Sequence, residues 1–341
     1  MVETSERQEA SPGRQTRVAV IGCGYWGKNI VRNLAELGAL AAVCDEDRQR
    51  AEAMASLYRV PVVGWEEILA DPGIGAVAIV VPAVLHYRLA RQALEAGKHV
   101  FVEKPMTFNL SEAEHLCVLA EQWNLRLMVG HLLQYHSAFL KLRQLVQDQQ
   151  FGRLLYIYST RLNLGKIRRE EDILWSFAPH DVSMILSLIN EDPEHVTAVG
   201  AYYLHGTIAD VTTTHLRFPA GEQAHIFVSW LHPVKEQRLV VVGSKAMAVF
   251  DDGEPWPSKL RLYRHKISWD ESVPLPHKAE AEMVAVAACE PLKAECRHFL
   301  DCIASGDRPR TDGREGVRVL RVLAQAAVAL KAIAPPTHPK A

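Results

Sequence analysis

Val18-Ala19-Val20-Ile21-Gly22-Cys23-Gly24-Tyr25-Trp26-Gly27 is the stretch on which the fold turns. Four apolar residues, too few for a helix, run into a G-x-G-x-x-G loop, and a segment of helical period follows to Leu37. Alone, such a loop is a weak signal. Here a second apolar run, Leu40–Cys44, ends in Asp45 about twenty residues on, which completes the strand, loop, helix, strand and acid of a dinucleotide-binding unit.

Each position has a physical task. Gly22 allows the tight turn, Gly24 lets the backbone approach a pyrophosphate, and Gly27 lets the helix close on the strand. The unpaired N–H groups at the helix start, with Tyr25 and Trp26 beside them, suit the phosphates. Asp45 would accept hydrogen bonds from the adenosine ribose hydroxyls and repel a 2′-phosphate, which selects NAD over NADP. Arg48 pulls the other way, since an arginine there suits a phosphate.

Working outward, short apolar runs at Ala76–Val80, His99–Val102 and Arg126–Val129 alternate with helical segments. Parallel strands need crossover helices and bury both faces, so residues 17–130 read as an α/β Rossmann domain. Residues 1–16 are polar and predict a disordered arm. At 341 residues the chain exceeds one hydrophobic core, and residues 131–341 read differently. After a helical stretch at Ala138–Val146 come strand-like runs at Leu154–Leu162, Val196–Tyr203, Ala209–Phe218, Gln223–Leu231 and Arg238–Val242. They predict an α+β domain on an open, largely antiparallel sheet, with helices at Ala288–Ala304 and Arg314–Ala332 packing back on the first domain. In one run Ala224, Ile226, Val228 and Trp230 share an apolar face, whereas His225, Phe227 and Ser229 point toward a helix or a second subunit. A homo-oligomer, dimer or tetramer, through this sheet is the expectation.

Bulk properties exclude other classes. A formal net charge of -2 with both signs dispersed gives no field for nucleic acid. No apolar run approaches the ~20 residues of a membrane span and no secretion leader is visible, so the expected location is the cytoplasm. Six cysteines form no CxxC pair and have no histidine at zinc-finger spacing, so neither a metal site nor a disulfide framework is expected.

Directly after His99–Val102 stands Glu103-Lys104-Pro105. With the glycine loop, Val81-Pro82-Ala83…His86, Ala178-Pro179-His180-Asp181, Glu290-Pro291-Leu292…Glu295…His298-Phe299 and Arg310-Thr311-Asp312-Gly313, the chain resembles the Gfo/Idh/MocA oxidoreductases over nearly its whole length. The resemblance implies NAD as cofactor, with Pro82, His86, Glu103 and Lys104 contributing to its site. It also implies Lys104 and His180 as a catalytic pair in the cleft between the domains. Oxidising a secondary alcohol needs one group to take the hydroxyl proton and another to stabilise charge on oxygen, which this pair can supply. His180 suits the base, because imidazole titrates near neutrality and an adjacent ammonium keeps it neutral; the reverse assignment uses the same residues. Two positions depart from the family pattern: Ser176 stands where many members carry Asp, and Ala83 stands where the family has Asn.

The run Arg161-Leu162-Asn163-Leu164-Gly165-Lys166-Ile167-Arg168-Arg169 brings four cations toward Trp175 and His180. Arginine forks suit a pyrophosphate; a solvated loop neutralised by Glu170, Glu171 and Asp172 is the plainer alternative. A narrower resemblance, over Gly130–Tyr135, Asn163–Arg168 and Trp175, is to members that act on UDP-sugars. It implies oxidation of a sugar hydroxyl, with substrate contacts from Tyr135, Arg161, Asn163, Lys166, Arg168, Trp175 and Ser176. Another sugar, inositol or keto-sugar oxidoreductase competes within the family. A non-catalytic NAD-sensing regulator competes from outside it, and the presence of both Lys104 and His180 argues against that.

Overall fold

In the first strand Val18, Val20 and Ala19 are wholly buried and Ile21 nearly so, as a parallel strand covered on both faces requires. The computed structural model describes residues 16–333, so the expected arm lies, but for Thr16, outside the described residues. Strands β1 (Val18–Ile21), β2 (Leu40–Cys44), β3 (Ala76–Ile79), β4 (His99–Val102) and β5 (Leu127–Val129) form a parallel sheet in the order β2-β1-β3-β4-β5. Around them lie α1 (Gly27–Glu36), α2 (Arg48–Tyr58), α3 (Trp65–Ala70), α4 (His86–Glu95) and α5 (Leu110–Gln122). The strand order reverses between β1 and β3, which opens a crevice at their carboxyl ends for a bound dinucleotide.

After α6 (Ser137–Gln147) the chain builds a second sheet from β6 (Leu154–Leu162), β7 (His195–Ala201), β8 (Val211–Arg217), β9 (Gln223–Ser229), β10 (Glu236–Gly243), β11 (Met247–Asp251) and β12 (Leu260–Tyr263). An exposed ribbon, β13 (Lys266–Asp270) and β14 (Val273–His277), precedes the edge strand β15 (Ala281–Met283). The eight-stranded order is β15-β12-β11-β10-β6-β9-β8-β7, antiparallel throughout except where β6 lies parallel to β9. This matches the open, largely antiparallel sheet read from the sequence. The strands after β10 were not foreseen, because each is five residues or fewer.

Ala224, Ile226, Val228 and Trp230 are wholly buried in the core beneath this sheet, as their alternation predicted. Helix α7 (Ile173–Ile189) packs on β6, β8 and β9 with α9 (Gly313–Ile333) beside it on β7, and it is apolar on most sides because it is covered on most sides. Its first turn is fixed by Asp172, whose carboxylate accepts the Trp175 N–H at 3.1 Å. Helix α8 (Pro291–Ser305) packs on α1, with Phe299 edge-on to Phe101 and Lys293 paired to Glu36 at 2.7 Å. Among the described residues no helix is long and apolar enough to cross a membrane.

Candidate active site

The glycine loop has the geometry its residue types demand. Gly22 sits at φ +99°, and a side chain there would strike the Val80 carbonyl; a Cβ on Gly27 would lie 1.9 Å from the Gly22 carbonyl oxygen. Gly24 faces open space, with only the Arg50 guanidinium within 4 Å of where a Cβ would be. No side chain caps the first turn of α1; the Lys28 and Asn29 N–H groups donate to the Gly24 and Trp26 carbonyls at 3.2 and 2.9 Å, and the positive end of the helix faces the crevice. Asp45 is anchored from both sides, accepting the Cys23 N–H at 2.6 Å and the Asp47 N–H at 2.8 Å. The loop and the acid therefore fit the pyrophosphate and ribose of a dinucleotide. Arg48 is turned away, pairing with Glu52 at 2.7 Å, so the arginine near the loop is Arg50, which the sequence reading missed.

Tyr25 is exposed, with the Lys28 ammonium 5.5 Å from its ring, and the Trp26 indole donates to Glu103 at 2.6 Å. Glycine at 130 leaves room for that carboxylate, since a Cβ there would touch it at 3.0 Å. Burial pushes the Glu103 carboxyl up despite the indole N–H. Pro82 opens the turn into α4. His86 is buried as a brace, its ring nitrogens 2.8 Å from the Pro105 carbonyl and 2.9 Å from the Val81 carbonyl. It ties the two loops that follow β3 and β4 together, so its part in a cofactor site is to hold backbone in place.

Across the cleft, the Lys104 ammonium donates to the Ser176 carbonyl at 2.7 Å. Ser176 precedes His180 by one turn of α7, so the ammonium rests on the turn that carries the imidazole. Neither ring nitrogen of His180 has a hydrogen-bond partner among the described residues, and Nδ1 is fully enclosed. Burial, then the positive charges of Lys104 and Arg161, hold His180 well below the ordinary histidine range, which keeps the ring neutral. Burial also lowers Lys104, against the opposing charges of Glu171 and Glu103.

The sequence reading missed the group beside His180. His131 meets it edge-on with centroids 6.4 Å apart, and His131 Nδ1 lies 2.6 Å from Glu315, which also accepts the Ser183 hydroxyl at 2.5 Å. Glu315 belongs to α9, and no local pattern links it to residue 131.

Several expected substrate contacts sit elsewhere. Tyr135 is a core residue: its hydroxyl meets Thr311 Oγ1 at 2.9 Å, and because Thr311 donates to the Val129 carbonyl, Tyr135 is the donor. Arg161 is buried and pairs with Asp181 through two hydrogen bonds of 2.8 and 3.1 Å, so it is not a free cation of the loop. The Ser176 side chain is buried and meets the cleft through its carbonyl. Arg168 pairs with Glu171 at 3.2 Å, whereas Lys166 and Arg169 are exposed without an ion-pair partner among the described residues. Asn163 is half-buried where the arm leaves β6, its N–H on the Ser229 carbonyl at 3.1 Å, and Trp175 packs edge-on against Phe108.

A dinucleotide crevice facing a lysine and a histidine across the cleft is the arrangement of an NAD-dependent oxidoreductase. Residues 16–131 match the model described as oxidoreductase family, NAD-binding Rossmann fold, and residues 139–249 match the GFO/IDH/MocA C-terminal domain. The chain belongs to the Gfo/Idh/MocA oxidoreductase family, and its cofactor is NAD. Within that family it is similar to UDP-N-acetylglucosamine 3-dehydrogenase of Acidithiobacillus ferrooxidans, at 30% identity over 93% of this chain and 97% of that protein. A solved structure of that enzyme matches with a TM-score of 0.84, covering 94% of this chain and 99% of that one at 30% identity. The scyllo-inositol 2-dehydrogenase (NAD(+)) of Bacillus subtilis is 27% identical over 86% of this chain and 88% of its own.

Proposed function

We propose that the chain oxidises the C3 hydroxyl of UDP-N-acetylglucosamine to the 3-keto sugar nucleotide. Bound NAD supplies the acceptor for the hydride that leaves C3. The observation that carries the reading is the Lys104 ammonium seated on the helical turn of a neutral, unengaged His180. His180 takes the hydroxyl proton, and Lys104 stabilises the negative charge that grows on the same oxygen. Trp175, next to Ser176 on α7, packs edge-on against Phe108 and so offers an apolar surface at the start of that helix.

For the substrate, support comes from the exposed cations Lys166 and Arg169 and the half-exposed Arg168, on an arm that leads directly into α7. Guanidinium and ammonium groups there suit a diphosphate. The sugar and its reacting carbon are taken from the relative named for UDP-N-acetylglucosamine. The reading includes a homo-oligomer in which a second copy covers the outer face of the eight-stranded sheet, where Tyr156, Tyr158 and Val199 are exposed. A panel of UDP-sugars, free N-acetylglucosamine and inositols, assayed with NAD and a ketone-trapping step, tests the substrate. UDP-N-acetylglucosamine should exceed the free sugar in kcat/KM by roughly 10²-fold or more, because the remote diphosphate helps to hold the sugar in reacting geometry. Inositols outperforming every UDP-sugar would return the chain to the inositol branch of its relatives.

A further inference from the structure

A general base must be held within hydrogen-bond reach of the proton it takes, and His180 has few supports of its own. Pro179, directly before it, has no N–H to return to the Trp175 carbonyl, so α7 lacks a bond there. The His180 Nδ1 is enclosed with no partner among the described residues. Ser176, one turn earlier, offers a hydroxyl where many family members carry Asp.

Glu315 brings support from α9. Its Oε2 lies 2.6 Å from His131 Nδ1, and its Oε1 accepts the Ser183 hydroxyl at 2.5 Å. Because a carboxylate oxygen only accepts, His131 carries its proton on Nδ1. Gln134 completes the set, its Nε2 donating to the Ser183 hydroxyl oxygen at 3.0 Å and to the Ser183 carbonyl at 2.8 Å. Both oxygens of Glu315 are therefore engaged, each on a different element.

Both branches of this network reach His180. His131, only 2% exposed, sets its ring edge-on against the imidazole with centroids 6.4 Å apart. Ser183 lies one turn of α7 beyond His180, while Lys104 donates to the Ser176 carbonyl one turn before it. The helix is tied on either side of the base, by an ammonium at one turn and a carboxylate at the other.

We infer that Glu315 is the positioning carboxylate of this site, acting through His131 and Ser183 to hold the His180 ring where it takes the substrate proton. It brings from α9 a carboxylate that position 176 does not provide. The inference rests on the proposed role of His180.

A double-mutant cycle on kcat separates this role from support of the fold. With the best alcohol substrate of the panel above, Glu315→Gln should lower kcat roughly tenfold with the KM for NAD unchanged, and Glu315→Asp should lower it less. In a His180→Asn background, Glu315→Gln should change kcat by no more than about twofold, because the ring it positions is gone. Where Glu315→Gln does not fold, His131→Phe takes its place in the cycle and is judged by the same outcomes, since it keeps a ring against His180 and removes the bond to Glu315. Wild-type kcat in the single variant, or a loss of equal size in both backgrounds, overturns the role of Glu315. Wild-type kcat in His180→Asn overturns the reading beneath it.

Discussion

Asp45 is held by two backbone N–H groups before any ribose arrives, so its carboxylate marks a fixed place at the end of β2. Asp45→Ala should weaken NAD binding and relieve repulsion of a 2′-phosphate, narrowing the preference for NAD over NADP by roughly 10-fold or more. Titration with both dinucleotides checks it, and an unchanged preference would move the discrimination elsewhere, with Arg50 the first place to look. For the pair across the cleft, Lys104→Met and His180→Asn should each lower turnover by roughly 10²-fold or more with little effect on NAD affinity. The direction of the His180 shift fixes its pH signature. Because burial and cationic neighbours favour the neutral ring, the proton-accepting form persists below the ordinary histidine range, so the acid limb of kcat/KM should lie below about 6.5. That limb should vanish in His180→Asn. At this scale the glycine loop was legible because its backbone demands the residue type, Asp45 by its place after the second strand, and the Glu-Lys-Pro turn through the family resemblance it carries. Tyr135 and Arg161 were misread because adjacency to a motif does not say whether a side chain faces the cleft or the core.

Helix α8 carries an expensive residue. Glu295 is wholly buried with neither carboxylate oxygen hydrogen-bonded among the described residues, and burial, aided by the charge of Glu103, pushes its carboxyl well up. A carboxyl whose folded value exceeds its unfolded one is tolerated while protonated, and its cost grows as pH rises above the unfolded value of about 4.5 toward the folded one. Glu295→Gln should therefore raise the melting temperature at pH 8 by about 2 °C, for a gain of order 1 kcal/mol, and change it little at pH 5. Calorimetry at the two pH values decides; an equal loss at both would mean that Glu295 has a partner the side-chain contacts do not show. Elements were legible where period and burial agree, as in β1 and β9, whose apolar patterns match their covered faces. The ribbon of β13 and β14 was not, because every residue in it is exposed and no burial imposes an alternation.

At the scale of the whole molecule, the cleft is assembled by returns of the chain that no local pattern announces. Thr311 adds to the edge of the first sheet, accepting the Val129 N–H at 2.8 Å, and α9 then carries Glu315 to His131, 184 positions away in sequence. These contacts join the two sheets around His180 and set the space in which a sugar would sit. The fold class was legible because alternation of short strands and helices leaves few arrangements, whereas long-range pairs such as His131 with Glu315 and Arg161 with Asp181 depend on the folded whole. In the proposed reaction hydride leaves C3 of a nucleotide sugar held between Lys104 and His180. UDP-N-acetylglucosamine deuterated at C3 alone, incubated with the enzyme, NAD and a ketone trap, tests it through the mass of the reduced dinucleotide. The NADH formed should carry the deuterium, and His180→Asn should form no more than roughly one hundredth as much. Unlabelled NADH from this substrate, or labelled NADH formed at wild-type rate without His180, would contradict it.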